Sequence, residues 1–168
     1  MSTRCPSPRV FAPGVNFPTE GSVGLRKTSM TEAIQQSVEF NTSPATLFEM
    51  YVDSRKHSKA TGSPAKVSRK AGAAFTAFAG ALRGKNLLIV PNKMIVQAWR
   101  SSAFKKSDAD SILVITFSKI PSGTRVDLVH TNVPPQDHKG VTKGWKKYYW
   151  EPWRAYLSKR RPNKGREV

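Results

Sequence analysis

Apolar residues recur at every second position through most of residues 72–131, and at every third or fourth position after Val133-Pro134-Pro135. Side chains alternate across a strand but repeat every 3.6 residues along a helix. The chain therefore reads as a run of strands followed by one long helix. The separators Pro91-Asn92, Ser107-Asp108 and Pro121-Ser122-Gly123 are turn formers too short to hold a crossover helix. Short strands joined by tight turns make an antiparallel meander.

The spacing predicts strands over 72–78, 82–90, 94–104, 111–119 and 124–131, with a further short one at 65–69. Ile34, Gln36, Val38 and Phe40 alternate as a first strand. Asn41-Thr42-Ser43-Pro44 then starts a helix, because Ser43 can cap free amides and Pro44 suits the first helical position. Leu47, Phe48, Tyr51 and Val52 give that helix its buried side. Residues 54–64 read as a short helix or loop, Gly80 and Gly84 as turn glycines, and His57 and His138 as loop residues.

The last helix is amphipathic. At about 100° per residue, Val141, Trp145, Tyr148, Tyr149, Pro152 and Tyr156 share one arc. Lys139, Lys143, Lys146, Lys147 and Arg154 share the opposite arc, with Trp150 projecting among them. Pro152 lacks an N–H, so a kink or break is expected there. The aromatic arc can be buried only against the sheet. The fold class is α+β: a curved antiparallel sheet wrapped around a long C-terminal helix, with one or two short helices after the first strand.

Residues 1–29 hold four prolines and no periodic pattern, and read as a disordered tail. No unbroken apolar stretch suits a secretory signal, because Val10-Phe11-Ala12 ends at Pro13-Gly14. An organelle transit peptide and a true start at Met30 are the alternatives for this segment. Residues 158–168 carry five basic residues against one acid and read as a basic tail, which leaves 30–157 as the domain. With 38% apolar residues, that length supports one core. No apolar run approaches a membrane span, and the expected location is cytoplasmic. The net charge of +17 points to acidic partners. The single cysteine, Cys5, excludes an internal disulfide and a cysteine zinc cluster. No histidine pair has helical metal spacing, so neither metal nor cofactor is expected.

Three blocks carry a resemblance. Residues 87–100 (Leu-Leu-Ile-Val-Pro-Asn-Lys-Met-Ile-Val-Gln-Ala-Trp-Arg), residues 128–134 (Leu-Val-His-Thr-Asn-Val-Pro) and residues 144–153 (Gly-Trp-Lys-Lys-Tyr-Tyr-Trp-Glu-Pro-Trp) occur in that order. Together they resemble signatures of the activator of heat-shock protein 90 ATPase homologue family over about residues 34–157. The resemblance implies a helix-grip fold, shared with START lipid-transfer domains and the birch-pollen allergen. It also implies a chaperone-associated, stress-related role. Eukaryotic activators have two domains, and the chain resembles only the second.

The helix-grip shape implies a cavity between sheet and helix, which suits an apolar small molecule. Inward strand parity offers Phe75, Ile95, Trp99, Leu113, Ile115, Phe117 and Leu128 as walls, with Gln97 and His130 as polar groups. The helix adds Trp145, Tyr148 and Tyr149. His130 is expected to be an interior histidine bonded to Gln97 or a tyrosine hydroxyl. The basic arc (Lys139, Lys143, Lys146, Lys147, Trp150 and Arg154) is the candidate partner face, for a chaperone or another acidic protein. Nucleic-acid binding through the tails and this arc is the alternative, and an enzyme of hydrolase or cyclase type is another. No nucleophile–base pair or glycine-rich phosphate loop supports catalysis, so the chain reads as a non-catalytic binder. Monomer and homodimer both remain open.

Overall fold

The computed structural model describes residues 31–160. The readings of 1–29 and of most of 158–168 lie outside the described residues. Strand β1 (Ile34–Phe40) leads into helices α1 (Pro44–Val52) and α2 (Ser54–Thr61). Six strands follow: β2 (Ala65–Lys66), β3 (Ala74–Ala77), β4 (Leu82–Val90), β5 (Met94–Ser101), β6 (Ser111–Ile120) and β7 (Gly123–Thr131). The C-terminal helix comprises α3 (Pro135–Trp145), a π turn (Lys146–Trp150) and α4 (Glu151–Lys159). The strands form one antiparallel sheet in the order β1-β7-β6-β5-β4-β3-β2. Consecutive hairpins build it, and β1 joins by pairing with the last strand.

Local chemistry explains most of the boundaries. Ser43 Oγ accepts from the Thr46 N–H at 3.2 Å, and Asp53 Oδ1 accepts from the Lys56 N–H at 3.0 Å. These caps start α1 and α2. Residues 54–64 are thus largely helical, and α2 ends at Gly62 with φ 73°. His57 and His138 sit on helices, not in loops. Strand β5 stops at Ser101, short of the expected 104, and Phe104 turns back from the loop beside Trp99 at 5.9 Å.

Gly84 is not a turn glycine. It lies within β4 opposite Trp99, and a Cβ there would fall 2.7 Å from the Phe75 ring and collide with the Ala98 carbonyl. The glycine makes room for a ring to lie flat on the sheet. Two residues later the register shifts between Asn86 and Leu88, leaving Leu87 as a bulge. The core sits between the concave face of the sheet and the helices. Ile95, Leu113, Ile115 and Leu128 are buried there with Leu47, Tyr51 and Trp153.

The kink or local break expected at Pro152 takes the form of a π turn just before it, and the helix runs on through α4. Pro152 is the second residue of α4, directly after the π turn, and it donates no bond back to that turn. The preceding turn loosens instead: the Glu151 N–H bonds Lys146 O, five residues back. Such a turn holds about one extra residue, which resets the helical wheel by about 100°.

Candidate functional site

That reset decides which side chains face the sheet. Trp145, Tyr149, Trp150 and Trp153 are all at most 4% exposed, and Trp145 stacks on Trp150 at 5.6 Å. Trp150 is therefore not on the basic arc. It lies inside, and its indole N–H donates to Gln36 Oε1 at 2.6 Å. The Gln36 amide donates in turn to the Thr142 carbonyl at 2.8 Å, beside the point where the Lys146 N–H turns to Lys143 instead of Thr142. Sequence reasoning gave Gln36 no role. The signal was the polar residue at an inward position of β1, paired with a proline inside the last helix.

Tyr148 departs from its expected place in the other direction, being 48% exposed at the surface. The ammonium group of Lys147 lies 5.0 Å from the centre of its ring. Lys139, Lys143, Lys146, Lys147 and Arg154 are exposed, and the Arg154 guanidinium covers the Phe40 ring at 4.8 Å. The basic arc thus exists without a tryptophan in it, and base stacking there loses its anchor.

Two buried polar chains cross the core. In the first, the Trp145 indole N–H donates to His130 Nδ1 at 3.2 Å, and His130 Nε2 lies 2.8 Å from Ser111 Oγ. An indole only donates, so Nδ1 is the acceptor and Nε2 carries the proton. The Ser111 hydroxyl passes its own proton to the Trp99 carbonyl at 2.8 Å. His130 therefore bonds a tryptophan and a serine, rather than Gln97 or a tyrosine. Burial pushes its pKa down to about 3, with a smaller contribution from His138. In the second chain, the Tyr51 hydroxyl donates to Gln97 Oε1, and Gln97 Nε2 donates to Asn86 Oδ1, both at 2.8 Å. The Asn86 amide then holds the carbonyls of Ser68 and Lys70. Burial raises the Tyr51 and Tyr149 hydroxyls well above the usual tyrosine range.

Between sheet and helix the space is filled. Ile95, Leu113 and Ile115 are fully buried, and Leu128, Phe75 and Phe117 are nearly so. The opening lies at one end instead, as a cleft of about 430 Å³ between α3 and the β3–β4 corner. Trp99, Trp145, Tyr148 and Tyr149 line it; the other eight expected cavity residues do not. Phe78, Leu82 and Val141 complete its apolar walls. Phe78 owes its position to a left-handed turn, since Phe78, Ala79 and Gly80 all have positive φ (53°, 55° and 90°). Such strain in non-glycine residues costs about 1–2 kcal/mol each and collects where a side chain is being aimed. Along α3, Gly140 and Gly144 leave the helix bare toward the cleft, and a Cβ at Gly140 would meet nothing within 4 Å.

Catalytic parts are sparse in this geometry. His130 has both ring nitrogens engaged and no carboxylate in its bonded chain. His57 is buried against the rings of Tyr51, Phe78 and Tyr149, its Nδ1 is unpaired, and burial lowers its pKa to about 4. Among the described residues, no cluster of three or more His, Cys, Asp or Glu side chains could hold a metal ion, and no helix is long and apolar enough to cross a membrane.

Comparison with known proteins places this arrangement. Residues 41–158 match the family model described as activator of Hsp90 ATPase homolog 1-like protein. A Dictyostelium discoideum protein named activator of 90 kDa heat shock protein ATPase homolog is 29% identical over 122 residues, covering 72% of this chain and 32% of its own length. The human activator of 90 kDa heat shock protein ATPase homolog 1 is 26% identical over 112 residues, covering 67% of this chain and 33% of its own. The chain thus spans about a third of these relatives' length. Among solved structures, an HSP90 activator from Plasmodium falciparum superposes with a TM-score of 0.70 at 23% identity, covering 75% of this chain and 96% of that one.

Proposed function

The chain belongs to the activator of Hsp90 ATPase homolog 1-like family, and from that premise we propose that it is a non-catalytic binding domain of the cytoplasm. It takes an apolar small molecule in the cleft beside α3 and engages an acidic surface of a chaperone of the 90 kDa heat-shock class. The observation that carries the ligand half is the cleft itself. Aromatic rings from three separate elements, Trp99, Tyr148 and Phe78, converge on a groove floored by helix glycines. Aromatic walls with few polar groups select ligands by shape and apolar area. The relatives' names and the net charge of +17 support the chaperone half. The engaged state of His130 supports a binding role over a catalytic one.

The ligand half is tested by thermal shift of the full chain against lipids and aromatic metabolites, with Gly140→Leu as the plugged control. Leucine suits the helix interior and has open space at this position. A ligand of the cleft raises the melting temperature of the wild type and not of Gly140→Leu. A screen in which no class raises it, or in which the plug makes no difference, removes the cleft from the reading. The chaperone half is tested by direct binding at low ionic strength and by the chaperone's ATPase rate with and without the chain. Absence of binding at 50 mM salt ends that half.

A further inference from the structure

The helices fill the concave side of the sheet, and the convex side has an unusual composition. An antiparallel sheet with one solvated face normally alternates apolar inward with polar outward residues. Here the outward positions of four adjacent strands align as Leu88, Val96, Val114 and Val129, each directly opposite the next. Ala98 and Ile112 form a parallel row beside them. Leu88 is 45% exposed and Val129 is 37% exposed. Rows about 7 Å apart on strands about 4.8 Å apart make this a patch of roughly 200 Å². The row runs unbroken across four strands and so offers a partner a flat apolar strip.

The rim of the patch names the occupant. Along one side run Lys66, Arg83, Lys85 and Arg100, all outward. Arg100 is held by Asp110 at 2.7 Å, whereas Lys66, Arg83 and Lys85 have no carboxylate within ion-pair distance among the described residues. The outward positions of the described strands hold no aromatic ring, so there is nothing for a nucleic-acid base to stack on. An apolar centre with free cations on one edge complements a protein surface of aliphatic residues flanked by carboxylates.

We infer that the convex face of the sheet, centred on Leu88, Val96, Val114 and Val129, is the docking surface for an acidic protein partner. The inference rests on the chaperone half of the reading above and adds the surface used, which is separate from both the cleft and the basic arc of the C-terminal helix. The patch supplies contact area, and the rim supplies attraction and orientation.

The experiment uses the full chain, with purified 90 kDa heat-shock protein of the same organism as the probe, and binding isotherms at 50 and 200 mM salt. Three variants are compared: Leu88→Glu with Val129→Glu, Arg83→Glu with Lys85→Glu, and Val129→Thr. The last keeps a strand-forming, nearly isosteric side chain, and Arg83 and Lys85 are exposed, so these two variants stay informative if the double glutamate misfolds. The expected result is a loss of more than tenfold for both double variants at 50 mM salt, a two- to fivefold loss for Val129→Thr, and a shallower salt dependence for Arg83→Glu with Lys85→Glu. No binding by the wild type overturns the chaperone reading and this inference together. Wild-type binding that all three variants retain leaves the chaperone reading standing and overturns the surface. A self-association in sedimentation that Val129→Thr weakens makes the face a homodimer contact and overturns the acidic-partner assignment. Saturable binding of a single-stranded RNA that the same variants abolish overturns it equally.

Discussion

The indole N–H of Trp145 donates to Nδ1 of His130 across 3.2 Å, tying the C-terminal helix to the centre of the sheet. The bond fixes the histidine tautomer, and Nε2 hands the chain on to Ser111 and the Trp99 carbonyl. Three strands and the helix are thereby registered against one another by two side-chain bonds and one side-chain-to-backbone bond. Each polar atom in the chain has its partner, which is the condition under which a buried network stabilises.

Trp145→Phe removes the donor and leaves a buried ring nitrogen without a partner. The expected cost is about 2 kcal/mol: a lost hydrogen bond plus the penalty of an unsatisfied buried acceptor. His130→Leu also destabilises, but the double variant is expected to cost less than the sum of the two, because both partners then leave together. Urea unfolding of the four proteins gives the coupling. Strict additivity within about 0.3 kcal/mol would remove the network from the account of stability.

Acid should unfold this protein through its interior histidines. The folded pKa of His57 is lowered to about 4 and that of His130 to about 3, both mainly by burial. The unfolded chain therefore binds protons first as pH falls. The stability these groups contribute is complete above pH 6.5 and is lost as pH drops through 6.5 toward 4 and 3. His57→Phe should flatten the upper part of that limb. It keeps a ring among Tyr51, Phe78 and Tyr149 and deletes the unpaired nitrogen. Stability measured in urea from pH 7.5 to 4.5 checks the slope. An identical slope in the variant excludes His57 as a contributor.

The strands and the first helix were legible because their signals are local. Alternation at Ser111–Ile120 and the Ser43-Pro44 cap depend on neighbours in sequence, and both stand where periodicity puts them. The resemblance blocks fixed the family for the same reason. The inward identity of the last helix was half legible. Trp145 and Tyr149 follow the wheel, but the π turn before Pro152 resets it, and a wheel drawn at constant rotation cannot show that Trp150 and Trp153 come inward. The cleft was misplaced for a non-local reason. Four helix aromatics fill the space between helix and sheet, so the opening appears at its end, where Gly140 and Gly144 thin the helix. Gln36 and Gly84 were missed because their roles depend on what lies across the sheet from them.

The reset wheel separates two neighbouring aromatics by stability. Trp150→Ala removes a buried ring stacked on Trp145 and orphans Gln36 Oε1, for an expected loss of about 3–5 kcal/mol. Tyr148→Ala removes a half-exposed ring and should cost about 1 kcal/mol or less. A constant wheel predicts the opposite order. Chemical denaturation of the two single variants decides between them.

Gly84→Ala tests whether the sheet is shaped around Phe75. The added methyl would fall 2.7 Å from one ring carbon and 2.8 Å from another, and would press on the Ala98 carbonyl. A flexible chain end could yield, but a buried ring and a strand backbone yield only by moving β3 away from β5. The expected cost is about 2–3 kcal/mol, in the range of core overpacking. Adding Phe75→Leu in the Gly84→Ala background should recover part of that loss, because it relieves the ring contact and leaves the carbonyl contact in place. The comparison requires the Phe75→Leu single variant, which by itself is expected to destabilise. A Gly84→Ala protein within about 0.5 kcal/mol of wild type, or a double variant showing no recovery, would mean that the ring does not need the glycine.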